Sequence, residues 1–272
     1  MIHICNGCGT SFVSGPVAPE QCPVCNDERQ FIPTTGQRWT TEADLHRGHA
    51  NMWRQHGPGV LSLQTQPRFA IGQRAFLIST PSGNILWDCV ACLDPATITL
   101  IQRLGGICVI AISHPHYYTT MQDWAAAFDA TLYLHADDRE WVMRDSPHIE
   151  LWQGDSLAIA PDITLVRLGG HFAGGTVLHW SVGSGVVFAG DILQVSPGSD
   201  RVSFMWSYPN LLPLSARKVK DIEARLGGYR YERLLGAFAG QDINGDAKTV
   251  VAKSAARYIS CLEETDGAYS GS

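Results

Sequence analysis

From about residue 61 onward, short apolar runs alternate with amphipathic stretches of helical length. Residues 75–79 and 85–87 are strand-length apolar runs. Pro81-Ser82-Gly83-Asn84 divides them, a turn-forming quartet that predicts a hairpin. Residues 96–104 read as a helix that ends at Gly105-Gly106. Residues 108–113 are continuously apolar, the mark of a strand covered on both faces. A helix over 121–128 and a strand over 131–134 follow. Further strands are expected at 163–168, 176–180, 186–188 and 233–235, with a charged amphipathic helix over 215–226 and a closing helix over 247–264. Strands interleaved with helices predict an α/β fold.

The first 60 residues lack this pattern. Thr40-Thr41-Glu42-Ala43 offers an N-cap and an acidic first turn, so a helix is expected to run from there toward Arg54. His46, His49 and His56 would lie on or beyond it, as exposed side chains rather than ligands. Gly57-Pro58-Gly59 would then break it. The last residues, 266–272, are small and polar and are expected to fray. The chain divides into a module at 1–33, a helical connector at 34–60, a main domain at 61–265 and a flexible tail.

Composition narrows the class. With 45% hydrophobic and 17% charged residues in 272, the chain is globular rather than disordered. A net charge of −6 argues against a nucleic-acid surface. No apolar run approaches the roughly 20 residues of a membrane span. The N-terminus carries no signal-peptide pattern, so a cytoplasmic location is expected. In that reducing compartment the eight cysteines read as ligands or buried thiols, not disulfides.

Four of those cysteines are paired. Cys5 and Cys8, then Cys22 and Cys25, form two C-x2-C knuckles separated by thirteen residues. Four thiolates converging on one tetrahedral ion suit zinc. About 30 residues cannot build a sufficient apolar core, so the metal would supply most of the folding energy. The segment resembles a zinc ribbon, and Cys22-Pro23-Val24-Cys25 resembles half of a rubredoxin site. Four protein ligands leave no open position, so its role is structural or docking, toward a protein partner or a second copy. Cys89 and Cys92 form a third C-x2-C without a partner pair and read as buried thiols, while the single Cys108 and Cys261 are expected in the core or on a helix face.

The chemistry lies further on. His114 and His116 follow the buried strand at 108–113, two apart and so able to face one ion. His171 sits among Gly169, Gly170, Gly174 and Gly175, and Asp191 follows the strand at 186–188. Residues 65–260 resemble the metallo-β-lactamase superfamily. Its motif is His-x-His-x-Asp-His, then a histidine after glycines, a bridging aspartate and a last histidine. The resemblance implies a four-layer αβ/βα sandwich with metal at one sheet edge, and a strand ending at Asp88. It carries over metal ligation to His114, His116, His171 and Asp191.

The departures are specific. Tyr118 stands in the motif's aspartate position and Thr119 in its histidine position. No histidine occurs after His179. The second metal position therefore keeps Asp191 alone among its expected ligands, and the resemblance implies one zinc or iron ion. Three imidazoles and an open position suit a catalytic ion that activates water. Asp191 would ligate it or accept a proton, and Tyr118 would donate a hydrogen bond to a developing oxyanion. The function expected is hydrolysis of a small ester, thioester, lactone or phosphoester. An iron-dependent sulfur-dioxygenase-like activity and an inactive docking scaffold are the alternatives. The aromatic segment 202–209 is expected to line a substrate pocket or form a core edge.

Overall fold

The structure, a computed structural model, describes residues 1–13 and 15–263. The expected frayed tail at 266–272 lies outside the described residues. Elements are numbered in chain order. β1 (Ile2–Cys5) pairs antiparallel with β2 (Ser11–Val13) and with β3 (Trp39–Thr40), and α1 (Pro23–Asn26) opens inside the second knuckle. The four paired cysteines, Phe12 and Val24 make the module's small core.

The connector departs from its expected form. α2 (Glu42–Gly48) is capped by Thr41, whose hydroxyl accepts from the Asp44 N–H, but it stops at residue 48. Residues 50–57 are a strand, β4 (Ala50–Gly57), laddered along its length to β5 (Val60–Gln66). Trp53 packs on the first core while Met52 faces solvent, so the segment has one apolar side with a period of two. Gly57-Pro58-Gly59 is the hairpin turn between these strands, with φ of 140° and 72° at its two glycines. The main sheet thus begins at Ala50 rather than near residue 61.

β6 (Arg74–Thr80) and β7 (Gly83–Trp87) form the expected hairpin. α3 (Pro95–Arg103), β8 (Val109–Ala111), α4 (Met121–Phe128), β9 (Thr131–His135) and β10 (Ile149–Trp152) follow. The first sheet runs β10-β9-β8-β7-β6-β5-β4. β11 (Ser156–Ala160), β12 (Ile163–Arg167), β13 (Thr176–Trp180) and β14 (Val186–Gly190) start the second sheet. Two small ribbons come next, β15 (Gln194–Val195) with β16 (Val202–Ser203), and β17 (Met205–Ser207) with β18 (Leu212–Pro213). α5 (Ala216–Gly227), β19 (Arg233–Gly236), β20 (Asp242–Ile243) and α6 (Ala247–Glu263) complete the chain, and the second sheet runs β11-β12-β13-β14-β19-β20.

The layers follow from side-chain alternation. On β6, Ala75 and Leu77 face the core under α3 and α4, while Phe76 and Ile78 face the other sheet. On β14, Val187 and Ala189 face the core under α5 and α6, while Val186 and Phe188 meet the first sheet. Both faces of each sheet are covered, which is why these strands read as continuous apolar runs. The result is the expected αβ/βα sandwich. No described helix is long and apolar enough to cross a membrane.

The topology sets the site. β7 and β8 are parallel neighbours in one sheet, and β14 and β19 are parallel neighbours in the other. Asp88, His114 and Asp191 all lie just past the C-terminal ends of such strands. The Thr176 N–H donates to the Ser113 carbonyl at 2.9 Å, and the Ala237 N–H to the Gly190 carbonyl at 2.9 Å, so the chain segments are laced together at this edge.

Candidate metal centre

Two groups of buried ligands gather among the described residues. The first is the cysteine cluster. Cys5 Sγ stands 3.6 Å from Cys25 Sγ, and Cys8 Sγ stands 3.6 Å from Cys22 Sγ. These separations are far beyond the ~2.05 Å of a disulfide. They match ligands arranged tetrahedrally at about 2.3 Å around one ion. Hydrogen bonds from the Cys22, Cys25 and Cys8 thiols hold the Cys5 thiol well below its usual range. The Gly7 N–H and the Gln37 side-chain amide also donate to that sulfur, at 3.3 and 3.2 Å. The cluster fits a zinc ribbon.

The second group is His114, His116, His171 and Asp191, whose ligand atoms all lie within 4.8 Å of one another. His114 follows β8 in extended backbone, and Pro115–Tyr117 then form a 3-10 turn that brings His116 back toward the same point. His171 comes from the loop between β12 and β13, where Gly169 and Gly170 take φ of 67° and 90°. Asp191 leaves β14 after Gly190.

Partners fix the rings. The His171 Nδ1–H donates to the Trp206 carbonyl at 2.7 Å, so its Nε2 presents a lone pair. That Nε2 is 3.2 Å from His116 Nδ1. His114 Nδ1 meets Ser113 Oγ at 2.9 Å, leaving His114 Nε2 facing Asp191 Oδ1 at 3.1 Å. Burial pushes the pKa of His114, His116 and His171 down, keeping the rings in the neutral form that binds metals. Burial pushes Asp191 up from the usual carboxylate range.

The ring of donors fits a cation. His114 Nε2, His116 Nε2 and Asp191 Oδ1 are buried without a formed hydrogen bond. Such orphaned atoms cost about 1–3 kcal/mol each unless a ligand satisfies them. A divalent ion among three imidazoles and one carboxylate supplies what the donors lack.

Tyr118 sits elsewhere than expected. It is buried in the core of the first sheet, where Asp138 is the charge it senses. Tyr117 faces the centre instead. In a 3-10 turn, residues three apart eclipse, and the Tyr117 ring meets His114 edge-to-face with centroids 4.4 Å apart. Its buried hydroxyl interacts with the Asp191 carboxylate but forms no geometrically complete hydrogen bond. Pro115, a first-turn residue, was the available signal for this rotation. Thr119, in the motif's histidine position, has φ of 40°, and its carbonyl accepts from the Ser11 N–H and Oγ of the N-terminal module at 3.0 Å each.

Asp88 ends β7 as expected. It is buried, accepts the Ser113 N–H at 2.8 Å, and is pushed by that burial up to about 7. Cys89 and Cys92 are buried in separate core clusters, with their thiols raised by burial, Cys92 to about 12. His135 and His179 bond the Gly154 and Arg230 carbonyls, as structural histidines do. His49 and His56 meet the Leu45 carbonyl and Ser62 Oγ, and the connector histidines join neither ligand group.

A cavity of about 350 Å³ opens over His116 and Asp191. Tyr208 and Pro209 line it, while Phe204 is core, so the aromatic segment 202–209 does both things expected of it. Phe238, past the end of β19, also lines it. Sequence reasoning missed the lining residues Ile71 and Gln194 of the main fold, and Arg29, Gln30 and Phe31, which come from the N-terminal module.

Sheets, layers and edge-bound ligands together define a metallo-β-lactamase fold carrying an N-terminal four-cysteine module. A B3 metallo-β-lactamase with an active-site glutamic acid superposes with a TM-score of 0.55 at 17% identity, over 87% of this chain and 97% of that one. VMB-1 gives a TM-score of 0.60 at 10% identity, over 78% and 97%. The metallo-β-lactamase FIM-1 from Pseudomonas aeruginosa, in its mono-zinc form, gives 0.56 at 14% identity, over 77% and 96%. These likenesses are of fold. No protein-family model matches the chain. The chain belongs to the family of YmaE from Bacillus subtilis (strain 168), to which it is 46% identical over 265 residues, 96% of either protein.

Proposed function

We propose that this protein is a mononuclear metal-dependent hydrolase that cleaves a small ester, thioester, lactone or phosphoester with activated water. One observation carries the reading. Four buried ligand side chains converge at a sheet edge beneath an open cavity, their ligand atoms within 4.8 Å of one another. Zinc is the proposed ion at both clusters. When bound at the histidine centre, it supplies Lewis acidity that polarises a carbonyl or phosphoryl oxygen and acidifies a water.

The chain's residues do the rest. His114, His116 and His171 hold the ion, and the Ser113 and Trp206 contacts fix two of those rings. Asp191 Oδ1 accepts the proton of the attacking water or completes the ligand set. The Tyr117 hydroxyl orients that carboxylate, whereas Tyr118, expected to donate to a developing oxyanion, lies in the core. FIM-1, on the same fold, has a mono-zinc form. Loss of the second-position ligands at Tyr118 and Thr119 favours one ion here.

The test is a screen of p-nitrophenyl esters, acyl thioesters, lactones and p-nitrophenyl phosphate with the metal-replete protein. Turnover is expected that disappears in His116→Ala and after chelation, and returns with zinc. Equal turnover by His116→Ala, or none by the wild type, contradicts the reading. Oxygen consumption with thiol substrates by iron-loaded protein would instead favour the dioxygenase alternative.

A further inference from the structure

The N-terminal module reaches into the catalytic cavity. Two side chains of the β17 region clasp its backbone: Ser207 Oγ–H donates to the Glu28 carbonyl at 2.5 Å, and the Asn210 amide donates to the same oxygen at 2.7 Å. The next residue, Arg29, donates from Nη1 to the carbonyl of the ligand His171 at 3.2 Å and lies 3.8 Å over the Phe172 ring. Asp27 pairs with the same guanidinium at 2.5 Å. Residues 28–31 are therefore fixed to the second half of the sandwich. At the other flank, Ser11 bonds Thr119, next to the histidine pair.

That attachment presents Gln30 and Phe31 to the cavity over His116 and Asp191. Phe31 is 58% exposed, a large apolar side chain on the cavity lining. Ile71, Pro209 and Phe238 continue the same wall from the main fold, and Gln194 is its other uncharged polar group. Arg29 is the sole cation among the lining residues, and Asp27, the His171 carbonyl and an aromatic face already occupy it. Beyond the ion itself, the lining therefore offers no further free cation to neutralise the second charge of a phosphoester dianion.

We propose that residues 28–31 are the substrate-selecting wall of this hydrolase, and that the substrate is a carbonyl compound (ester, thioester or lactone) with an apolar acyl or aryl portion seated on Phe31. Phe31 is the specificity-determining residue, and Arg29 is a positioning residue that anchors the wall beside His171. This assignment rests on the reading of the histidine centre as an open metal site.

Hydroxamates separate the two ideas without turnover, because one end binds metal and the other is a chosen tail. Calorimetric titration of the full-length, metal-replete protein with acetohydroxamate and hexanohydroxamate is the test, with elemental analysis of each sample. The longer tail is expected to bind about tenfold more tightly to wild type, from partial burial of its added methylenes. Phe31→Ala should bring that ratio to within about twofold with acetohydroxamate affinity and metal content unchanged, and Phe31→Leu should restore most of it. An unchanged ratio in Phe31→Ala overturns the wall. Failure of both hydroxamates to bind the loaded wild type overturns the open metal site, and the wall with it.

Discussion

A β-carbon at Gly190 would stand 2.6 Å from Ser113 Oγ and 3.7 Å from Asp88 Oδ2, and the backbone there has φ of 56°. Space and conformation both demand glycine. The neighbour that would have to yield is the hydroxyl that meets His114 Nδ1. Gly190→Ala is therefore expected to destabilise the fold by about 1–3 kcal/mol, seen as a lowered Tm, and to weaken metal retention at the histidine centre. Tyr117 and Tyr118 make a second contrast between adjacent residues. Tyr117→Phe removes the buried hydroxyl that interacts with Asp191, and if that contact tightens in the transition state a roughly tenfold fall in kcat is expected. Tyr118→Phe should leave kcat within about twofold, because that side chain lies in the first core. Steady-state kinetics on the two variants decide this, and the reverse order of effects would return the role to Tyr118.

The N-terminal module is the element whose meaning changes most between sequence and structure. Its knuckle spacing made a four-cysteine metal site legible, but nothing in the spacing of Cys22 and Cys25 says where residues 28–31 will dock. That docking depends on Ser207, Asn210 and His171, more than 140 positions away, and such contacts leave no local periodicity. Cys22→Ser is accordingly expected to lose one metal per chain and the preference for longer hydroxamate tails, with the far-UV spectrum of the main sheets retained. Full tail preference in that variant would show that the wall stands without the module's metal. The strands around the site were legible for a different reason. Their two covered faces give uninterrupted apolar runs, as in β8 and β14. β4 was misread because an edge strand with Trp53 inward and charged or polar neighbours also fits a helix with an acidic first turn. His114, His116, His171 and Asp191 were legible as a set through the resemblance of their order to the family motif, each following a strand end or lying in a glycine loop. The turn that exchanges Tyr117 for Tyr118 was not, since one residue of rotation in a 3-10 segment leaves composition unchanged.

Across the whole molecule, the two halves of the sandwich meet at an edge where burial governs charge. Burial pushes the Asp138 carboxyl up to about 7, although it accepts the Gly174 N–H. Its folded pKa lies above its unfolded value, so between about pH 4 and pH 7 the folded chain holds a proton that the unfolded chain has released. Stability from this group is fullest at the acidic end of that window and is lost as pH rises through it. Asp138→Asn keeps an acceptor for Gly174 and should flatten that slope, which denaturant titrations at pH 5 and pH 7 would reveal; an unchanged slope would assign it to other groups. Both ligand groups are expected to hold metal, one ion in the cysteine cluster and one among His114, His116, His171 and Asp191. Elemental analysis of the purified full-length chain and of His116→Ala tests it most directly. Two metal ions per chain are expected in the wild type, falling to one in His116→Ala with the fold intact. A single ion in both proteins would contradict the claim, leaving the histidine cluster without a metal.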